Sequence, residues 1–377
     1  MIATPKAPQR IKFKKENQTE FYSVLKKRVD AYFTSNNISK NANTAMVIKS
    51  IFIFASFIGT YLLIMSNTFS PLMMLLFAAL NGFFSAMMGI NIGHDAIHGS
   101  YTNNAKINKF LGLGFNLVGA NDYMWNIMHN IVHHTWANIP NYDEDIDQVP
   151  IIRTNPKQAL WKIHKYQHIY VFFLYALSSI SWVFKKDYVK YNQDNIGGYD
   201  NSRKNKKELY RMIAYKVVYY FMFIALPIMV LNIAWYYVLL GFVVMHFSMG
   251  LTLALIFQLS HINEDLAFPE ASEEGSMEYT WAAHQLFTST NYAPTSPLAS
   301  FLTGGLHLQV EHHLFPKMCH IHYRAIHPIV KETALEFGLP YYEHPTFLGA
   351  LVSHIKTLKN FGKSKNYAGD GKYTVAA

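Results

Sequence analysis

Four stretches of this chain stay apolar for about as long as a helix needs to cross a bilayer, and they decide what it can fold into. Residues 50–66, 71–90, 213–230 and 235–259 each carry at most one charged residue, a length and composition that fit membrane spans. The first begins near residue 50, too far along to be a secretory signal peptide. A content of 51% hydrophobic residues would also suit a large soluble domain, but the runs remove that choice. The expectation is an all-α integral membrane protein: four transmembrane helices in two hairpins, with interfacial helices and a cytoplasmic helical cap. Its parts are a basic N-terminal arm (1–49), a membrane domain (50–330) and a C-terminal tail (331–377).

Charge sets the expected orientation. Residues 1–49 hold ten Lys/Arg against three Asp/Glu, while the links Asn67 to Ser70 and Leu231 to Ala234 hold no charge. That asymmetry places both termini and the 91–212 segment in the cytoplasm. It also explains the net charge of +9 without a nucleic-acid partner. A fifth apolar run, 168–184, has Lys157, Lys162 and Lys165 before it and Lys185, Lys186 and Lys190 after it. Both flanks read as cytoplasmic, so the run is expected to lie along the membrane surface, as is 107–120. The lone cysteine, Cys319, excludes an internal disulfide and fits a reducing compartment.

The eighteen histidines are not scattered. "HDAIH" spans His94 to His98, "HNIVHH" spans His129 to His134, and "QVEHH" spans Gln309 to His313. An H-x-x-x-H-H match is expected by chance only about 0.04 times at this composition. Residues four apart share a helix face, so His94 with His98, and His129 with His133, each aim two imidazoles at one point. His134, rotated away on an α-helix, would serve a second metal. Four crossings bring all three boxes to one side of the membrane. Imidazole-rich sets suit iron, zinc or copper. Asp95, Glu311 and the acidic run Asp143, Glu144, Asp145 and Asp147 are candidates for orienting ligands through their outer nitrogens. His164 and His168 read as interfacial. His246 lies inside the fourth span, where helix packing and a tunnel wall are both open, and His320, His322 and His327 follow the third box.

These boxes, with "GGLHLQVEHHLFP", "DEDID" and "HKYQHIY", resemble the membrane fatty acid desaturases over about residues 45–330, and the third box resembles that of the front-end branch. The resemblance implies two iron ions, dioxygen as co-substrate and a cis double bond inserted into a long-chain acyl group carried by coenzyme A, acyl carrier protein or a lipid. Implied ligands are His94, His98, His129, His133, His134, His312 and His313, with Gln309 where a histidine stands in other branches. One further histidine at the end of the fourth span is implied. His261 fits by its height on the helix, with His284 as competitor. His307, rotated by about 200° from Gln309 on a helix, is left as a group behind the ligands. No His-Pro-Gly-Gly haem motif of a fused cytochrome b5 domain occurs, so a separate ferredoxin or cytochrome-type electron donor is expected.

A hydroxylase or ketolase on the same scaffold is the nearest alternative. A multi-pass metal transporter fits less well, because its ligands would sit at mid-membrane. A zinc protease lacks its H-E-x-x-H.

Overall fold

The computed structural model describes residues 11–17, 20–146, 149–367, 369 and 371. Asp147 and the first ten residues of the basic arm lie outside them. Ten helices position the site: α1 (Phe21–Ser35), α2 (Thr44–Met65), α3 (Pro71–Met88), α4 (Gln167–Ser181), α5 (Lys206–Tyr220), α6 (Trp235–His261), α7 (Trp281–Thr288), α8 (Gln309–Leu314), α9 (Tyr323–Glu336) and α10 (Phe347–Phe361). Shorter helical segments and three two-stranded pairings accompany them.

Local chemistry marks the helix starts. The Asn43 side chain accepts from the Met46 backbone N at 3.1 Å at the head of α2, and Ser70 caps α3 with Pro71 in its first turn, both favoured starts. Between these helices only residues 66–70 reverse the chain, and residues 231–234 do the same before α6. Outer faces carry Ile51, Leu72 and Met229 at 64%, 76% and 74% exposure, side chains that a bilayer covers and water would not.

Inside, α6 packs against both α3 and α4, and α2 covers α3. Small residues permit these contacts. A Cβ on Gly82 would lie 1.9 Å from the Met245 carbonyl oxygen, and one on Gly250 would lie 2.6 Å from that of Ala176. Buried polar groups are tied across helices. His246 Nδ1 meets Ser179 Oγ at 3.0 Å and its Nε2 meets Tyr219 OH at 3.0 Å, which assigns this histidine to helix packing. Lys216 Nζ, buried, donates to Asp187 at 2.7 Å and to the Gly119 carbonyl at 2.6 Å.

Among the described residues, five helical segments are long and apolar enough to cross a membrane: Thr44–Met65, Pro71–Ile97, Lys162–Asn192, Lys206–Val230 and Trp235–His261. Four correspond to the expected spans. The other contains the run expected at the surface. Above the helix bundle, α7, α8 and α9 pack with α1 around Leu308, Val310 and Tyr323. The C-terminal α10 docks on α4, with His354 bonded to Tyr175 OH at 2.9 Å and to the Ile262 carbonyl at 2.7 Å.

Candidate metal centre

Two departures from α-helical winding shape the site. After α3 the helix continues through a π-helical segment, Gly89–Gly93, before His94–Ile97. The second box lies on another, Asn126–His133. The wider π turn corrects the expected rotation of His134. Residues five apart come nearly onto one face, and His134 Nε2 lies 3.3 Å from His129 Nε2.

The three boxes and the end of α6 meet in one buried cluster. His94, His98, His129 and His312 form one group, and His133, His261 and His313 form another, the ligand atoms within each lying within 4.8 Å of one another. His134 stands between them, its ring centroid 4.6 Å from that of His312 and 4.5 Å from that of His313. Gln309 belongs with the second group: its Nε2 lies 2.9 Å from His261 Nε2 and 3.2 Å from His313 Nε2. Its Oε1 has no hydrogen-bond partner and takes that place after a half-turn of the amide. His284 is outside both groups and donates from Nε2 to the Ala137 carbonyl at 2.8 Å.

Outer partners fix which nitrogen faces inward. Nδ1 of His133 donates to Asp143 Oδ1 at 3.0 Å, that of His261 to the Thr288 carbonyl at 3.1 Å, that of His312 to Tyr323 OH at 3.2 Å and that of His313 to Gln285 Oε1 at 2.6 Å. With the proton outside, each Nε2 keeps a lone pair pointing into the cluster. Nε2 of His98, His133 and His312 has no hydrogen-bond partner although buried, and an orphaned buried acceptor costs about 1–3 kcal/mol. His94 Nε2 and His129 Nε2 approach to 3.0 Å, a contact between two ring nitrogens that needs a proton or a cation between them.

Burial, and then the neighbouring histidines, hold His98, His129, His134, His312 and His313 well below the ordinary histidine value, so these rings are neutral at neutral pH. Burial opposes protonation of His133 too, but the Asp143 carboxylate raises it. Inward-facing imidazole nitrogens in two groups are the donor set that a pair of transition-metal ions takes.

The acidic candidates divide. Asp95 Oδ2 accepts from His320 Nδ1 at 2.9 Å, while its Oδ1 stands 3.8 Å from His94 Nδ1. Asp145 Oδ2 stands 3.8 Å from Nδ1 of both His129 and His133. Glu311 faces away from the candidate ligands: it accepts from Asn291 Nδ2 at 2.8 Å and Tyr341 OH at 2.5 Å and meets His327 Nδ1 at 3.3 Å, fastening α8 to the segments beneath it. His307 bonds Thr303 and Ser300 and touches no ligand. Sequence reasoning missed Gln285, Thr288 and Tyr323. They carry no local signal, because each reaches its histidine from another element.

Beside His94 a narrow cavity is walled by Phe115, Trp125, Trp182, Met249 and Leu253. Trp125 packs on His129 at 4.8 Å between ring centroids.

The sequence profile described as fatty acid desaturase matches residues 69–345. The acyl-lipid (8-3)-desaturase of Physcomitrium patens is 38% identical over 352 residues, 92% of this chain and 72% of that protein. The sn-1 linoleoyl-lipid 6-desaturase of Synechocystis is 31% identical over 361 residues, 94% of this chain and 99% of that protein. The acyl-lipid (8-3)-desaturase B of Dictyostelium discoideum is 32% identical over 362 residues, 93% of this chain and 77% of that protein.

Proposed function

Because this chain belongs to the fatty acid desaturase family and is an oxidoreductase of that kind, we propose that it is a front-end acyl-lipid desaturase working at a di-iron centre. Front-end means that the new cis double bond enters between an existing one and the carboxyl end. Relatives named as acyl-lipid and linoleoyl-lipid desaturases support a lipid-linked chain as substrate. The observation that carries the metal reading is the pair of buried histidine groups with unpartnered inward nitrogens.

His94, His98, His129 and His312 would hold one iron, and His133, His261 and His313 the other, with His134 between them and Gln309 beside the second. When bound, such a centre would supply the oxidising power that side chains lack: dioxygen, two protons and two electrons from an external ferredoxin or cytochrome-type donor are consumed, two hydrogens leave adjacent carbons, and two water molecules form. The chain's own residues do the positioning. Asp143, the Thr288 carbonyl and Gln285 hold His133, His261 and His313 in one tautomer, and Tyr323 OH orients the His312 ring. The cavity wall beside His94 is apolar and aromatic, which suits a methylene chain and excludes water.

We place the centre, both termini and the basic arm on the cytoplasmic side of a four-span protein. Support comes from parity. The second and third boxes meet in one cluster, so an even number of crossings must separate them. Of the three long helices between them, Lys206–Val230 and Trp235–His261 cross, and Lys162–Asn192 then lies along the surface. We take 50–330 as the catalytic membrane domain, flanked by the 1–49 arm and by the 331–377 tail.

The test is expression in a host lacking such activity, with fatty acids profiled in air and without oxygen. An added double bond that requires air is expected. A hydroxylated product instead would favour the alternative chemistry on this scaffold, and an unchanged profile with several fed polyunsaturated precursors would refute the proposal.

A further inference from the structure

The candidate ligands are closed to solvent, which raises the question of how a cation reaches them. His94, His129, His133, His134, His261, His312 and His313 are at most 5% exposed. His98 is partly exposed as a residue, but its Nε2 is buried. Asp95 and Asp143 are buried as well, at 1% and 0%. Asp145 differs: its side chain is 29% exposed, and its Oδ2 lies 3.8 Å from His129 Nδ1 and 3.8 Å from His133 Nδ1. The His133 nitrogen is committed to Asp143. That of His129 has no hydrogen-bond partner, although the ring is 1% exposed. The same ring's Nε2 faces His94 at 3.0 Å and His134 at 3.3 Å. One imidazole therefore touches the partly exposed carboxylate with one nitrogen and the buried groups with the other.

We propose that Asp145 and His129 Nδ1 form an outer, transient site for a divalent transition-metal cation, the port through which the buried centre is loaded. This rests on the di-iron reading above. The spacing suits it: metal bonds of about 2.0–2.2 Å to a carboxylate oxygen and an imidazole nitrogen put the two atoms roughly 3.4 Å apart at a tetrahedral angle and about 4.1 Å apart in line. The observed 3.8 Å falls between, so an ion enters with little movement of either group. Neighbouring charges bear on the same point. Glu144 is paired with Lys190. Lys186 Nζ, 31% exposed, stands 3.9 Å from the other carboxylate oxygen, Asp145 Oδ1, where its charge repels an arriving ion. At equal distance the carboxylate attracts a dication about twice as strongly as an ammonium, so the ion competes with Lys186 for Asp145.

Metal uptake by the metal-free full-length protein tests the port, with cobalt(II) as the probe and its ligand-field absorbance followed by stopped flow. A port lowers the barrier in both directions. Asp145→Asn should therefore slow uptake and chelator-driven release alike, by about tenfold each, with affinity and the count of two ions per chain unchanged. Lys186→Gln, a change at a partly exposed side chain that leaves every histidine in place, should speed uptake. If Asp145 merely props His129, the Asn variant instead binds more weakly, with faster release and wild-type uptake, and the proposal is overturned. Wild-type uptake and release rates in Asp145→Asn overturn it equally. A wild-type chain that takes up no cobalt refutes the metal centre itself, and the port with it.

Discussion

Replacing Asp143 by Asn removes the charge that holds His133 while keeping the shape. The fully buried carboxylate accepts from His133 Nδ1 at 3.0 Å, from the Asn138 backbone N at 2.8 Å and from the Asp145 backbone N at 2.9 Å. Three donors thus meet a group that only accepts. An amide offers one oxygen and one NH2, so one face of the new side chain sets donor against donor. Leaving one buried donor unpaired costs about 1–3 kcal/mol. Losing the outer partner of a ligand histidine lowers metal affinity by about 10–100-fold, or roughly 1.4–2.7 kcal/mol. The loss should fall on the ion held by His133, His261 and His313, because Asp143 bonds no histidine of the other group. Purified Asp143→Asn protein, titrated with a graded chelator and assayed for iron per chain, should release one ion early and the second as wild type does. Retention of both ions with wild-type resistance would refute the reasoning, and simultaneous loss of both would show that the groups are not separate sites.

The complementary change, Tyr323→Phe, strips the acceptor from His312 Nδ1 and should weaken the other ion by about tenfold in the same titration. Gly82→Ala places a methyl 1.9 Å from the Met245 carbonyl and should wedge α3 from α6, lowering thermal stability in detergent by about 3 kcal/mol; an unchanged Tm would contradict that close approach. His327 is opposed by burial but raised by its bond to Glu311 and by the Glu343 charge. Its folded value lies above the unfolded one, so its stabilisation is fully present below the ordinary histidine value and fades as pH rises through the folded one. The Tm advantage of wild type over His327→Leu should therefore shrink as pH rises above the ordinary histidine value of about 6.5, and an advantage that grows with pH would reverse the assignment.

What could be read from the sequence was the chemistry carried by short spacings. Histidines four apart mark a shared face, and His261 was reachable by helix rise from the span boundary; both the boxes and His261 join the cluster. The π-helical winding of 126–133 was not legible, because no residue type announces it, and it moves His134 between the groups. Adjacent position misled for Glu311. One step along a helix turns a side chain by about 100°, so it fastens α8 to Asn291 and Tyr341 rather than orienting His312. The partners that fix the tautomers come from α7, α9 and the 138–146 loop, joined to the histidines only by the fold. Hydropathy alone does not count the spans: Lys162–Asn192 is long and apolar enough to cross, and the lysines on both flanks together with the meeting of the boxes argue that it does not.

The most direct test of the central claim is the position of iron in crystals of the loaded protein, located by anomalous scattering at the iron edge. The account predicts two peaks, one among His94, His98, His129 and His312 and the other among His133, His261 and His313. A single peak, or peaks away from these nitrogens, would contradict it.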